Sequence, residues 1–362
     1  MLLPPRVRCP PNGEPVLVTS EFWLGATARA LSEGFRLAGQ SVTEVDVDDY
    51  FIAGRSVSTK LARRLFGAIS VAEYNRRLVQ AAKDAAAGMF VAVKGDRILP
   101  DTMRAVAAVG LTTVIYYPDY HFSYRGLQLG VIEEATLVCT TKRFQLPYLD
   151  TLRGHGRSVL LQHGYTPAIH RPFFDDVTEG QYLFDISFVG TASEAKLRWL
   201  IAVAEAFCGQ RIMVAGNGWL NATKGTPVEK FVHDGPVHND WLARLHQLSK
   251  VNIAVHHGPA SAEGWQDDVS TRTFEIPACR AFMLHIDNPE VRGLFDVPSE
   301  IDVFSSPDEL CGKIAYYLDR PEARAEMAAR AFQRAVPAYS YHQRATEILA
   351  AVGELRSRDG RG

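Results

Sequence analysis

The chain has 362 residues, of which 47% are hydrophobic and 22% are charged, and these are the proportions of a soluble globular protein. Its formal net charge is −2, so the chain as a whole has no basic field that would draw it to nucleic acid or to anionic lipid. No stretch approaches the ~18 consecutive apolar residues of a membrane span, and the length exceeds one hydrophobic core, so two domains are expected.

The cysteines are scattered along the chain without paired spacing, at positions 9, 139, 208, 279 and 311. An odd, scattered set is typical of reduced thiols. Residues Met1–Pro15 contain proline and arginine but lack the apolar core of a signal peptide. We therefore expect a cytoplasmic protein.

The first half of the chain alternates strand patterns with helix patterns. The predicted strands are Val16–Thr19, Ser41–Val47, Met89–Val93, Thr112–Tyr116, Ala135–Thr140 and Ser158–Gln162. The predicted helices are Ala26–Ala38, Ser58–Ala87, Pro100–Val109 and Lys142–Leu152. Such alternation favours a mostly parallel, right-handed α/β sheet.

The alternation stops over Gly164–Glu179, which has little periodicity, and then resumes. The later predicted strands are Phe184–Val189, Arg211–Ala215, Val251–His256, Ala281–Ile286 and Ile301–Phe304, and the later helices are Glu194–Cys208, Asn239–Ser249, Pro307–Tyr317, Glu322–Val336 and Tyr341–Leu355. We predict a Rossmann-like domain over residues 1–164, a linker over 165–180, a second Rossmann-like domain over 181–336, and a C-terminal helix over 337–362 that could pack back on the first domain. The two domains would face a cleft.

The segment Ser270–Cys279 is the most informative part of the sequence, because it leads from one apolar strand to the next through a short helix. Ligands of doubly wound domains bind outside the carboxyl ends of the strands. The first turn of the following helix offers free N–H groups to a phosphate, and Glu275, one turn inside, can accept from a ribose hydroxyl. Because proline is awkward in a helix interior, we predict that the helix starts near Thr273 or Phe274, with Pro277 in its first turn.

Several segments resemble the GT-B glycosyltransferases, in particular the group named after the spore maturation protein CgeB. The similar segments of the second half are Tyr182–Gly190, Arg272–Cys279, Pro289–Phe295, Val303–Phe304, Ser306–Pro321 and Tyr339–His342 with Arg344. The first half matches more loosely, over Gly39–Asp46, Lys94–Gly95 and Thr112–Asp119. One departure is Arg280, where the family commonly has a glycine suited to a left-handed helix end.

The resemblance implies the GT-B fold and transfer of a sugar from a nucleoside diphosphate, with the donor on the second domain and the acceptor on the first. Glu275 would hold the ribose hydroxyls, and Arg272 would cradle the diphosphate with Thr271 and Thr273. The alternatives are a surface carboxylate that caps its own helix and an arginine in a structural ion pair. Further candidates for donor binding are Gly190, Thr191, Lys196 or Arg198, Gly216, Asn217, Val237 through its backbone, and His256.

Three residues are candidates for catalysis. Asp267 and Glu275 stand eight apart, a spacing at which many retaining GT-B enzymes carry an acidic pair, although Asp267 could match by chance. Asp119 or His121 could take a proton from an acceptor hydroxyl, since each follows a predicted strand of the first domain. A retaining mechanism can proceed without such a base.

We expect no metal and no cofactor. The sequence Asp46-Val47-Asp48 has the form of a DxD metal motif, but that motif belongs to another glycosyltransferase fold, and no His/Cys spacing suggests zinc.

The predicted function is therefore a hexosyltransferase-like, metal-independent GT-B enzyme acting on an unknown hydroxyl acceptor. A nucleotide-sugar epimerase of the same fold and a non-catalytic nucleotide-sugar-binding protein remain alternatives. The sequence does not indicate the oligomeric state.

Overall fold

The computed structural model describes residues 13–52, 54, 56–85, 88–123, 126–235, 237–256 and 265–360. The chain divides into two units. The N-terminal unit comprises the residues up to His163 together with those from Tyr341 onward, and the second unit is Gly164–Ser340. The segment predicted as a linker, residues 165–180, is thus part of the second unit.

A parallel sheet forms the centre of the N-terminal unit, in the strand order β2-β1-β3-β4-β5-β6. Within the described residues, its strands are β1 (Pro15–Ser20), β2 (Ser41–Asp46), β3 (Met89–Val93), β4 (Thr112–Tyr117), β5 (Leu137–Thr140) and β6 (Ser158–Leu160). Every residue of β3 is buried. A strand covered on both faces reads as a continuous apolar run, which explains why its sequence lacks alternation.

Helices flank this sheet. The helices described in the unit are α1 (Thr27–Leu37), α2 (Val57–Ala85), α3 (Pro100–Ala108), α4 (Leu129–Glu134), α5 (Leu146–Arg153) and, from the end of the chain, α13 (Tyr341–Arg358). Helix α13 packs against α1 at Gly34, where an added Cβ would lie 2.7 Å from the Cα of His342. The absence of a side chain at Gly34 therefore lets the C-terminal helix cover this face of the N-terminal sheet.

The second unit is built around another parallel sheet, in the order β12-β11-β10-β7-β8-β9. Its described strands are β7 (Phe184–Val189), β8 (Ile212–Gly216), β9 (Val232–Asp234), β10 (Ser249–Ala254), β11 (Met283–Ile286) and β12 (Asp302–Phe304). Its described helices are α6 (Glu194–Ala206), α7 (Trp219–Ala222), α8 (Asn239–Gln247), α9 (Thr271–Ala278), α10 (Pro289–Leu294), α11 (Pro307–Leu318) and α12 (Pro321–Ala335).

The predicted α/β class is confirmed, with two parallel sheets and C-terminal helices. The elements that the sequence pattern did not predict are short, namely α4, α7, α10 and β9. Elements of one or two turns contain too few residues to establish a period. Among the described residues, no helix is both long and apolar enough to cross a membrane.

Candidate functional site

Helix α9 begins at Thr271, two residues before the predicted start. Pro277 therefore lies in the last turn rather than the first, and the predicted placement was wrong. Proline at this position removes the hydrogen bond that a backbone N–H would donate to the carbonyl of Thr273, and the helix ends one residue later, at Ala278. The earlier start is favoured by Ser270, whose backbone N–H donates to Thr273 Oγ1 over 3.3 Å.

The end of α9 has the left-handed backbone that the sequence comparison led us to expect. Arg280 has φ = +54° where the family commonly has glycine. Its backbone N–H donates to the carbonyl of Pro277 (2.9 Å), and its Nη1 donates to the carbonyl of Asp175 (2.6 Å). These hydrogen bonds offset the modest cost of a left-handed non-glycine residue.

Arg272 reaches back from α9 to the carboxyl ends of two adjacent strands. Its Nε donates to the carbonyl of Val189, directly after the buried part of β7 (2.8 Å), and its Nη1 donates to the carbonyl of Val255, after β10 (2.9 Å). Nη1 also contacts Ser270 Oγ at 3.2 Å. These partners carry no negative charge, so they orient the guanidinium without neutralising it. Among the residues that the structure describes, Arg272 is held by these uncharged groups and not by the structural ion pair considered from the sequence.

Two glycines make room for this guanidinium. An added Cβ at Gly190 would lie 1.9 Å from Arg272 Nη2. Gly216, with φ = +130°, packs so closely that its own Cβ would lie 2.2 Å from the carbonyl oxygen of Gly190. That oxygen also accepts from Trp219 Nε1 (2.6 Å). The backbone after β7 is thus held against Arg272. A side chain at position 190 would displace either this backbone or the guanidinium of Arg272.

A buried histidine pair supports the same guanidinium. His285 Nδ1 lies 2.7 Å from the carbonyl of Ile286, so it carries the proton, and its Nε2 is an acceptor. His256 Nε2, 2.9 Å from His285 Nε2, is then the donor, which leaves His256 Nδ1 to accept from Arg272 Nη1 at 3.4 Å. Burial lowers the pKa of His285 to about 4.

Lys196 is a second buried cation in this region. It lies on α6 with 3% of its surface exposed, and its Nζ donates to the carbonyl of Thr191 (2.9 Å). Burial, together with the positive charge of Arg272, lowers the pKa of Lys196 to about 7, and the carboxylate of Asp267 opposes that shift. Asp267 is itself buried, with 6% exposed. Lys196, Arg272 and Asp267 are therefore within electrostatic reach of one another.

Arg198, the alternative to Lys196, lies on a different side of α6. Its side chain is exposed, and its guanidinium stacks over Trp199 with the Cζ atom 5.4 Å from the ring centroid. Residues two apart on a helix do not share a face. The structure therefore brings Lys196 and not Arg198 towards Arg272.

Glu275 is largely buried, with 15% of its side chain exposed, so it is not the surface carboxylate considered above. Its Oε1 lies 3.5 Å from His170 Nε2. His170 Nδ1 accepts a hydrogen bond from the Thr166 N–H (3.0 Å), so the ring proton is on Nε2. This N–H is directed at the carboxylate of Glu275. Burial lowers the pKa of His170 to about 3. The pKa of Glu275 is raised by burial, while His246, Arg272 and a hydrogen bond from Thr271 act in the opposite direction.

The other predicted donor residues lie around the strand ends. Thr191 and Asn217 are exposed, and the Ala192 N–H donates to the Asn217 carbonyl over 2.9 Å. The side chain of Val237 is buried in an apolar cluster with Met213 and Leu245, which leaves only its backbone for a ligand. His257 and most of the loop between His256 and Asp267 lie outside the described residues.

In the N-terminal unit, the candidate acceptor residues follow β4. Burial raises the pKa of Asp119, and Lys94 Nζ, 3.7 Å away, opposes that shift. His121 Nδ1 contacts Ser123 Oγ at 3.1 Å, and the carbonyl of His121 accepts from the Tyr117 hydroxyl. Tyr117 is itself buried in the core, whereas Tyr124 of the same aromatic-rich segment lies outside the described residues.

Sequence reasoning identified His256 but missed three other histidines around Glu275 and Arg272, namely His170, His246 and His285. His285 interrupts an apolar strand and His246 sits on the buried face of α8, so each offered a signal. His246 Nδ1 donates to Asn252 Oδ1 (2.9 Å), and its Nε2 has no hydrogen-bond partner in the described part of the chain. His170 gave no signal, because it falls in the segment predicted as a linker.

The residues described include no group of three His, Cys, Asp or Glu side chains placed to hold a metal ion. Within the sequence Asp46-Val47-Asp48, Asp46 Oδ1 accepts from the backbone N–H of Asp48 (2.9 Å) and caps a short 3-10 turn.

Comparison with known proteins finds similarity to glycosyltransferases. A family model described as glycosyl transferase-like matches residues 194–350. The spore protein CgeB of Bacillus subtilis (strain 168) is 24% identical over 271 residues, which cover 71% of this chain and 80% of that protein.

Solved structures share the fold at low sequence identity. The sucrose-phosphate synthase of Thermosynechococcus elongatus has a TM-score of 0.61 and 13% identity, and the match covers 95% of this chain and 100% of that one. Anabaena HepE in complex with UDP and glucose has a TM-score of 0.59 and 11% identity, over 94% and 100% of the two chains. AviGT4, a glycosyltransferase of avilamycin A biosynthesis, has a TM-score of 0.61 and 15% identity, over 95% and 98%. These matches confirm the resemblance to the CgeB-like glycosyltransferases drawn from the sequence, and the chain has the GT-B fold.

Proposed function

We propose that this protein transfers a hexose from a nucleoside-diphosphate sugar to a hydroxyl group of an acceptor, and that the second unit binds the donor. One observation carries the proposal. The carboxyl ends of β7 and β10 hold Arg272 through uncharged partners, beside the buried Lys196 and the first turn of α9. Arg272, the buried Lys196 and a helix N-terminus together suit a diphosphate.

The diphosphate is the leaving group of the reaction. As the bond between its oxygen and the anomeric carbon breaks, that oxygen keeps the electron pair and gains negative charge. Arg272, Lys196 and the N–H groups of α9 stabilise this charge without rearrangement, because the strand-end carbonyls already fix the guanidinium. These groups supply the positive charge that a metal ion would otherwise provide, so we propose transfer without a metal.

Glu275 is proposed to accept from the ribose hydroxyls of the donor. It lies one turn into α9, four residues after Thr271, so a nucleotide whose phosphates meet the first turn places its ribose near this carboxylate. Asp267 is proposed to contact the transferred sugar, since it is buried within electrostatic reach of Lys196 and Arg272.

The acceptor is proposed to bind the N-terminal unit. Its hydroxyl oxygen forms the new bond to the anomeric carbon, and its proton passes to Asp119 or His121, or directly to the departing phosphate oxygen. The raised pKa of Asp119 suits a carboxylate that must take up a proton. We propose a hexose as the transferred sugar because HepE, which shares the fold, is described in complex with UDP-glucose.

The proposal can be tested by a thermal-shift screen against UDP, GDP, TDP and their sugars, because a ligand that binds the folded state raises its apparent stability. Products are then analysed with the donor that gives the largest shift. Sugar transfer to an added hydroxyl acceptor would support the proposal. An isomerised nucleotide sugar formed without acceptor would favour the epimerase, and binding without turnover would favour a non-catalytic binding protein.

A further inference from the structure

The first half of α2 carries an exposed apolar face. The side chains of this face are spaced four residues apart and are Val57 (83% exposed), Leu61 (57%), Leu65 (64%) and Ile69 (66%). Residues four apart on a helix lie above one another, so these side chains form one stripe. Phe66 extends the stripe and is 52% exposed. A row of large apolar side chains left in water on a single helix face marks an interaction surface.

The same stretch carries only positive charge. Lys60, Arg63 and Arg64 are exposed and flank the stripe, and no acidic residue occurs from position 56 to position 72. At 100° per residue the three basic side chains are centred well away from the apolar stripe. We call the exposed half of α2, residues 57–72, the amphipathic segment.

The second half of α2 anchors this segment to the N-terminal unit. The side chains of Tyr74, Leu78 and Ala82 are buried in the core of the unit, while residues 57–72 contribute no fully buried side chain. The segment is about 24 Å long, since an α-helix rises 1.5 Å per residue. It is therefore a rigid, charged and apolar rod held on one side of a folded domain.

Further exposed apolar residues lie at the same edge of the N-terminal sheet. Helix α2 follows β2, so its first turn is at the carboxyl edge of that sheet. Trp23 and Leu24 follow β1, Ile52 follows β2, and they are 49%, 42% and 40% exposed. Tryptophan is favoured at the boundary between lipid and water. The carboxyl edge thus adds apolar contact area beside the amphipathic segment.

We propose that the amphipathic segment docks on an anionic lipid bilayer, with its apolar stripe inserted among the headgroups and its basic side chains on anionic lipid. A helix with a large apolar face, a basic polar face and modest overall hydrophobicity lies in the plane of a membrane. A second copy of this chain is a less suitable partner, because pairing two amphipathic segments would place the three positive charges of one next to the three of the other. The net charge of −2 concerns the whole chain, whereas the attraction acts on this local surface.

Docking does not depend on the proposed sugar transfer, although the two would be linked in space. Asp119 follows β4 and so lies at the same carboxyl edge of the parallel sheet as the start of α2. If the carboxyl edge of the N-terminal sheet docks on a bilayer, the candidate acceptor residues at that edge lie near the membrane surface.

The experiment measures flotation of the full chain with phosphatidylcholine vesicles and with vesicles of phosphatidylcholine and phosphatidylglycerol. We expect binding to the anionic vesicles, reduced by high salt. The charge variant K60Q/R63Q/R64Q should weaken it on the order of 100-fold, since each basic residue near an anionic surface contributes about a factor of five. The apolar variant L61S/L65S/I69S should abolish it. All six positions are exposed, so both variants are expected to fold, which circular dichroism checks.

Matched controls change the same residue types elsewhere. The variant L37S/L220S alters two exposed leucines, and K83Q/K224Q alters two exposed lysines, and both should bind anionic vesicles like the unaltered chain. The proposal is overturned if the unaltered chain does not float with anionic vesicles, or if the control variants lose as much binding as the segment variants. It is also overturned if L61S/L65S/I69S converts a dimer into a monomer in light scattering while vesicle binding is unchanged, because a second copy would then be the occupant.

Discussion

A single methyl group at position 190 should remove Arg272 from the candidate site. The Cβ of an alanine there would lie 1.9 Å from Arg272 Nη2 and 3.0 Å from its Cζ. The backbone of Gly190 is outside the left-handed region, so alanine causes no strain in φ and acts by sterics alone. The guanidinium is the movable partner, and we expect it to swing out and lose its hydrogen bonds to Val189 and Val255.

The magnitude follows from those contacts. A hydrogen bond to a charged group contributes about 1.5–3 kcal/mol, and water recovers part of it once the guanidinium is exposed. We expect Gly190→Ala to lower the free energy of unfolding by about 1–3 kcal/mol. The diphosphate loses one charge-assisted contact, so the dissociation constant of the preferred nucleoside diphosphate should rise roughly 10- to 150-fold.

The assay is a double-mutant cycle measured by calorimetry with Gly190→Ala, Arg272→Ala and the combined variant. If both changes act by removing the same guanidinium, the combined variant should bind nucleotide no worse than either single variant. Gly209→Ala serves as the control, because a Cβ there meets no atom within 4 Å. Additive losses, or unchanged affinity in Gly190→Ala, would refute the role given to Arg272.

Three further results are expected. Glu275→Ala should weaken nucleoside-diphosphate affinity by about 1.5–3 kcal/mol. The control Asp240→Ala changes an exposed carboxylate on α8 and should leave the affinity unchanged. If calorimetry finds the same affinity for Glu275→Ala and the unaltered chain, the ribose contact is contradicted. Nucleotide affinity should fall as the pH rises above about 7, because a bound diphosphate raises the pKa of Lys196 and binding then takes up a proton. The fall in affinity should approach tenfold per pH unit up to the pKa that Lys196 has in the nucleotide complex. It should vanish in Lys196→Met. Affinity that does not change with pH in the unaltered chain would exclude this coupling. Transfer activity should survive EDTA, and its loss would restore the metal hypothesis.

Local sequence patterns were sufficient for most elements of both sheets. Burial on both faces makes a strand such as β3 a continuous apolar run, and that signal is contained in neighbouring residues. The position of Ser270–Cys279 after a strand likewise predicts a phosphate-binding end. The start of α9 was misplaced because the preference of proline for the first turn was given too much weight, whereas the helix accommodates Pro277 in its last turn.

The partners of the candidate site could not be obtained in this way. Arg272 donates to the carbonyl of Val189, 83 positions earlier, because β7 and β10 are neighbours in the sheet although β8 and β9 separate them in sequence. The tautomers of His256 and His285, and the choice of Lys196 over Arg198, depend on which side chains that strand order brings together. Sequence alone therefore determined the class of fold and indicated the segment that is proposed to bind the donor. Tertiary structure decided which groups meet there, since contacts between distant residues depend on sheet order and burial rather than on local period.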